Sequence, residues 1–333
     1  MDLLIEKLQE TAEKAENELK KNDEWIKRYA NYASIIKNNL TAIKNVRKKF
    51  RVDKPLYVYS NISKIRDAKK EEAVTFDLRY RGQSVGNIEY RDNILKMVTK
   101  DNTEEFFGIK GGETLDWDNN DARAFRSYFS SFPPNKKDKK ESRCESALLT
   151  ELSKTIGRDK LLKNIQPVRL ADCRFQMPTP FSASKEEIEY VAANGGGIDL
   201  LCRTKHGNKS ILNVFELKDE YEAPYNVLKQ IITYSVFINR LFKTSEANSG
   251  IWWKLFNFGE IPDPALPLNI NAVVALPFNK DRNNDESFKH KIIKLNNENC
   301  ITLHYFWFDL LKGDKKEDRI SNIKTSLFEK ITL

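Results

Sequence analysis

Through the first fifty residues, apolar side chains recur at an alternating spacing of four and three. Leu8, Ala12, Ala15 and Leu19 are followed by Ile26, Tyr29, Ala33, Ile36, Leu40 and Ile43, with polar Asn22 in the gap. That is a heptad seam. It predicts a helical, coiled-coil-like segment over 1–52, either one long coiled coil or a hairpin folded at Lys21-Asn22-Asp23. The seam can build a homodimer or higher oligomer, or it can pack on the chain's own body, and the pattern favours neither. Lys44, Arg47, Lys48, Lys49 and Arg51 close the segment. Cations at a helix C-terminus are stabilised by its dipole; Lys44, Arg47 and Lys48 are also candidates for nucleic-acid phosphate contacts.

From Pro55 the period shortens to two. LYVYS, AVTFDLRY, SVGNIEY and ILKMVTK are short runs of β-branched and aromatic residues, the last three separated by turns at Arg81-Gly82-Gln83 and Arg91-Asp92-Asn93. A small, mainly antiparallel β domain is expected over 55–130, with no catalytic constellation in it. Ser131-Phe132-Pro133-Pro134 and the charged run after it read as a linker, 131–143. Residues 141–333 read as one α/β domain. A helix near 141–156 and a strand around 167–176 lead into strands at 198–204 and 210–218. A helix at 224–242 and strands near 270–276 and 301–308 follow.

Composition narrows this picture little. No apolar run approaches the roughly 18–20 residues that span a bilayer, and the acidic, quickly polar N-terminus is no signal peptide. A cytoplasmic protein is expected. Cys144, Cys173, Cys202 and Cys300 form no CxxC pair, and His206, His290 and His304 stand at no zinc-ligand spacing from them, so buried reduced thiols are the simpler reading. A net charge of +8 suits a polyanionic partner such as nucleic acid without demanding one.

The informative stretch is GGGIDLLCRTKHGNKSILNVFELKDE. Lys205-His206-Gly207-Asn208 has hairpin-turn chemistry between two β-rich runs. If Thr204 pairs with Lys209, Asp199 faces Val214, and side-chain alternation puts Val214, Glu216 and Lys218 on the face that Asp199 occupies. Two acids and a lysine on the inward face of apolar strands are expensive to bury without a use. Their chemistry suits phosphodiester hydrolysis. Carboxylates hold a hard divalent cation, Mg²⁺ or Mn²⁺, and a lysine orients water or neutralises developing charge. The three glycines, Gly195-Gly196-Gly197, lead into the metal strand without the Gly-Lys-Ser/Thr of a P-loop. Trp252, Trp253 and His304 read as packing residues.

A glycine-led I-D-L-L strand, a hairpin and an apolar strand ending F-E-L-K resemble the PD-(D/E)XK nuclease superfamily, closest to its NucS-like and RecB-like branches. Two flanking features are similar as well. Glu145, in ESRCESALLTELSK, resembles the first-helix glutamate of the family, with Glu141 and Glu151 as rivals. Gln230 and Tyr234 resemble the QxxxY element, whose side chains face the active site and the nucleic-acid backbone. Ile198-Asp199 stands where the eponymous Pro-Asp would be. The resemblance covers about 141–308 and implies a restriction-endonuclease-like mixed sheet flanked by helices. It further implies Asp199, Glu216, the Leu217 carbonyl and Glu145 around Mg²⁺ or Mn²⁺, with Lys218 serving the nucleophilic water. The implied activity is a nuclease, a DNA endonuclease of defence, restriction or repair ahead of an RNA-directed one. The alternative is a catalytically silent nucleic-acid-binding module on the same fold.

Overall fold

The computed structural model describes residues 3–64, 74–137, 139–154, 160–182, 188–191, 195–206, 209–259, 266–279, 285–296 and 298–329. Among these residues the chain is α/β, with a pair of N-terminal helices, two large sheets and further helices between and beside the strands.

The heptad seam becomes two helices, α1 (Leu3–Lys21) and α2 (Glu24–Lys48), broken at Asn22 and Asp23 as the hairpin expectation placed it. They do not fold against each other as a self-contained pair. Leu8, Ala12, Ala15, Leu19, Tyr29, Ala33 and Ile36 are buried in the main hydrophobic core. Ile43, Val46 and Phe50 enter a second core, beneath the β-rich region. The stripe is therefore covered by the chain's own residues, and α2 ties the two cores together.

The first sheet contains β1 (Leu56–Ser60), β2 (Val74–Tyr80), β3 (Gln83–Arg91), β4 (Ile94–Thr99) and β5 (Thr114–Asp116). All neighbouring pairs among these strands are antiparallel, as the alternation predicts. Two short helices cover it, α3 (Thr103–Phe107) and α4 (Asn120–Tyr128), the latter capped where Asn119 accepts the Ala122 N–H at 2.7 Å. The 131–143 stretch is not a free linker. Pro133 is buried and its carbonyl accepts the Tyr80 hydroxyl at 3.0 Å, while the Lys136 N–H reaches Phe106 O at 2.8 Å. Its last residues already belong to α5 (Lys140–Leu152).

The second sheet is mixed. Its order is β15-β16-β14-β13-β12-β6, with β17 pairing further along the edge of β16 that also carries β15. The strands are β6 (Ile165–Pro167), β12 (Leu200–His206), β13 (Lys209–Leu217), β14 (Ile270–Pro277), β15 (Ile292–Lys294), β16 (Cys300–Leu311) and β17 (Arg319–Thr325). β13, β14 and β16 run parallel, because the helix α6 (Pro224–Lys243) carries the chain back after β13. Alternation then fixes three layers. Leu201, Leu212, Val214, Ala272 and Val274 pack with α1 and α6; Leu200, Phe215, Leu217, Val273 and Ala275 pack with Leu148 and Leu152 of α5. A further helix, α7 (Ser249–Leu255), buries Trp252 and Trp253 in the main core. No described helix is long and apolar enough to cross a membrane.

The single strand expected around 167–176 is a misreading. Ala171 and Asp172 take left-handed φ values of 50° and 64°, and Leu170 and Cys173 exchange backbone hydrogen bonds across them. This reversal ends β6 in one sheet and starts β7 (Arg174–Phe175) in the other, parallel to β1. The first sheet is thus completed by a strand from beyond residue 143. Two small ladders, β8 (Met177–Pro178) with β11 (Gly197–Ile198) and β9 (Phe181–Ser182) with β10 (Glu189–Tyr190), then lead to the glycines. The helix end expected at 155–156 and the turn residues Gly207-Asn208 lie outside the described residues.

Candidate metal centre

The β12–β13 hairpin is paired two residues away from the expected register: Thr204 faces Ile211, and His206 faces Lys209. A slip of two preserves the side-chain face, whereas a slip of one would have inverted it, so the shared-face argument survives its mistaken register. Asp199 itself sits in a bend between β11 and β12, where the chain leaves one ladder for another. One of its carboxylate oxygens accepts the Leu217 N–H at 2.9 Å, which anchors it to the end of β13.

Around that point the acids gather. Glu141, Asp199 and Glu216 each offer a carboxylate oxygen within 4.8 Å of the others. Lys218 Nζ lies 2.6 Å from Glu216 and 2.8 Å from Glu141, and donates to the Leu217 carbonyl at 3.0 Å. Glu145 does not join the tight group but lines the same cleft of about 540 Å³, with Gln176 and Asp219. Its Oε2 accepts Gln176 Nε2 at 3.2 Å, and its Oε1 stands 3.9 Å from Arg79. Of the rivals, Glu141 is in the centre. Glu151 faces the far end of α5, accepting the Leu161 N–H at 2.9 Å.

Electrostatics match the geometry. Burial pushes Asp199 up to about 6, opposed by Lys218 and the Leu217 N–H. Glu145 is pushed up to about 8, chiefly by burial, with Arg79 opposing and Asp199 adding. Glu216 is raised well above the carboxylate range by burial and by Asp199. Burial alone would lower Lys218, but Glu216, Asp199 and Glu141 outweigh it and hold the ammonium form. Two buried carboxylate oxygens, Glu216 Oε2 and Glu145 Oε1, have no hydrogen-bond partner. Unpartnered buried acceptors beside like charges are costly as they stand. A hard divalent cation held by Glu141, Asp199 and Glu216 would satisfy the Glu216 oxygen, and the all-oxygen donor set suits Mg²⁺ or Mn²⁺.

Gln230 and Tyr234 lie on one face of α6, joined by a 3.2 Å hydrogen bond from Nε2 to the phenol oxygen. Burial raises the phenol, with Glu216 adding to it. The glycines have a physical reason here: a Cβ on Gly196 would lie 2.2 Å from the Tyr234 hydroxyl, and one on Gly195 would lie 2.1 Å from Thr179 O. Lys44, Arg47 and Lys48 are not brought to this cleft. Lys44 is 3.8 Å from Asp172, Arg47 donates to Phe50 O at 3.0 Å, and Lys48 is exposed at the end of α2.

Three contributors were not singled out from the sequence. Arg79 on β2 links the first sheet to α5: it pairs with Asp77 at 2.6 Å, donates to Gln176 at 3.0 Å, stacks 4.2 Å over the Tyr59 ring and stands 3.9 Å from Glu145. Asp77 and Arg79, two charges on one face of an apolar strand, were the legible signal. Asp219 directly follows the F-E-L-K run, and Gln176 carried no signal at all. No family model, no curated protein and no solved structure matches the chain.

Proposed function

We propose that the chain is a metal-dependent nuclease with a restriction-endonuclease-like core, hydrolysing phosphodiester bonds at the cleft between α5 and the ends of β12 and β13. The observation that carries this reading is the convergence of Glu141, Asp199 and Glu216 within 4.8 Å, closed by the Lys218 ammonium. A structural acid cluster has no need to leave Glu216 Oε2 buried and unpartnered.

Glu141, Asp199 and Glu216 would hold Mg²⁺ or Mn²⁺, with the Leu217 carbonyl beside them and Glu145 behind. Such a cation supplies Lewis-acid polarisation of a phosphoryl oxygen and a lowered pKa for water. The chain's own residues do the rest. Lys218, held as an ammonium, is a hydrogen-bond donor and a positive charge next to developing negative charge, not a proton acceptor. Glu145, whose carboxyl is raised by burial, lines the same cleft beside the cluster. Arg79 and Gln176 fix the orientation of Glu145. Gln230 and Tyr234, joined by a hydrogen bond on α6, pack beside the glycines that lead into Asp199.

The test is incubation of purified protein with supercoiled, linear duplex and single-stranded DNA and with RNA, with and without Mn²⁺. Cleavage of at least one substrate that requires Mn²⁺ and is lost in Lys218→Ala supports the reading. Full cleavage by Lys218→Ala, or no cleavage of any substrate, contradicts it. DNA is the favoured substrate.

A further inference from the structure

At the far end of α5 lies a second cavity, of about 1220 Å³, more than twice the volume of the carboxylate cleft. α5 has 13 residues, so at 1.5 Å per residue its two ends are roughly 20 Å apart. Glu141 stands at one end and Leu152 to Lys154, which line this cavity, at the other. Elements distant in sequence build it: α2, the turn after α5, the loop after β6, β12 and α7.

Its charge is one-sided. Among the described residues seven cationic side chains line it against one carboxylate, Asp172, whereas the whole chain has 56 Lys and Arg against 48 Asp and Glu. Lys44 and Asp172 approach to 3.8 Å, and Lys160 is committed to the carbonyls of Leu152 and Ile165. Arg169 and Arg203 donate only to neutral groups, to Ser153 O and to Gln166 and the Asn257 carbonyl respectively. Lys37 and Lys254, both exposed, have no carboxylate partner among the described residues. Four cations therefore converge without a neutralising acid among the described residues. Like charges gathered around a concavity repel each other and raise the local concentration of anions. Leu40, Ile251 and Phe256 give the same cavity an apolar wall. An inorganic anion would use the cations and waste that wall, whereas a nucleotide unit matches both, its phosphates on the cations and its base or sugar on Phe256.

We propose that this cavity is a second ligand site, separate from the carboxylate cleft, that binds phosphate-linked nucleotide units. The source of those units is a nucleic-acid strand or a free nucleotide. The site does not depend on the nuclease reading, because nothing in it belongs to the carboxylate centre.

The experiment measures binding by fluorescence anisotropy in EDTA, where metal-dependent cleavage cannot interfere. The probes are a short labelled single-stranded oligonucleotide and a labelled nucleoside triphosphate. The double variant Lys37→Glu/Lys254→Glu reverses two exposed charges that hold no structural bond. For the oligonucleotide it should weaken binding by about tenfold or more, and it should lower the dependence of log K on log salt by about 1.4, or 0.7 per lost phosphate contact. Glu216→Gln should leave this binding in place. Loss confined to the oligonucleotide identifies a strand as the occupant; loss of tight triphosphate binding identifies a free nucleotide. Unchanged affinity and salt dependence for both probes in the double variant overturns the proposal. Lysine acetylation of the wild-type protein gives a second reading: ligand should protect Lys37 and Lys254, and equal labelling with and without ligand contradicts the site.

Discussion

Replacing Asp199 by Asn removes a charge and almost nothing else, since the amide oxygen can still accept the Leu217 N–H that Asp199 now accepts at 2.9 Å. Burial has moved the Asp199 carboxyl from 3.8 to about 6. In that window the folded protein keeps a proton that the unfolded chain releases. Stability is therefore fully present below the unfolded value and is lost as pH rises through the folded one. Two units at about 1.4 kcal/mol each would cost about 3 kcal/mol. Asp199 borders an open cleft, so solvent screening reduces the usable figure to about 1–2 kcal/mol. Asp199→Asn should accordingly be more stable than wild type by about 1–2 kcal/mol at about pH 8 and close to equal at about pH 4.5. Urea unfolding in EDTA, followed by tryptophan fluorescence at both pH values, measures this. An Asn variant less stable than wild type at the higher pH, or shifted equally at both, would refute the view that this carboxylate is held against its own preference. The same variant should lose all metal-dependent cleavage.

Mn²⁺ should raise the melting temperature of wild type more at about pH 8 than at about pH 5.5, because the cation must displace protons from carboxyls whose affinity for them is raised; equal shifts in differential scanning fluorimetry would count against the site. Gly196→Ala places a Cβ 2.2 Å from the Tyr234 hydroxyl and should cost about 1–3 kcal/mol. Tyr234→Phe should recover part of that loss, and a double-mutant cycle with no coupling would show that the glycine is not needed for this approach. Arg79→Ala leaves the buried Asp77 carboxylate without its cation and should destabilise the fold by about 3–5 kcal/mol. A loss below about 1 kcal/mol in chemical denaturation would mean that Arg79 is not held in this buried pairing in solution.

What the sequence made legible was local. The heptad seam marked α1 and α2, and the period of two marked β2, β3 and β4, because each pattern is written in neighbouring residues. The Asp199, Glu216 and Lys218 grouping survived a register error since side-chain parity tolerates a slip of two. The rest depended on distant contacts. A reversal at Ala171-Asp172 passed for the middle of a strand, because nothing in Leu170-Ala171-Asp172-Cys173 announces left-handed backbone. Whether the heptad seam faced a partner or its own body depended on α6 and β15, which lie hundreds of residues away. Glu141 and Glu145 are one turn apart on the same helix, so only the position of α5 relative to β13 could rank them. Arg79 reached the site through a sheet whose order requires β7, a strand the alternation did not reveal.

The central claim is that Glu141, Asp199 and Glu216 form a divalent-cation site in this fold. Isothermal titration of the metal-free protein with Mn²⁺ tests it most directly. A saturable heat at about one equivalent in wild type, stronger at higher pH and abolished in both Asp199→Asn and Glu216→Gln, is the predicted result. Absence of saturable binding in a folded wild-type protein, or binding that both variants retain, would contradict it.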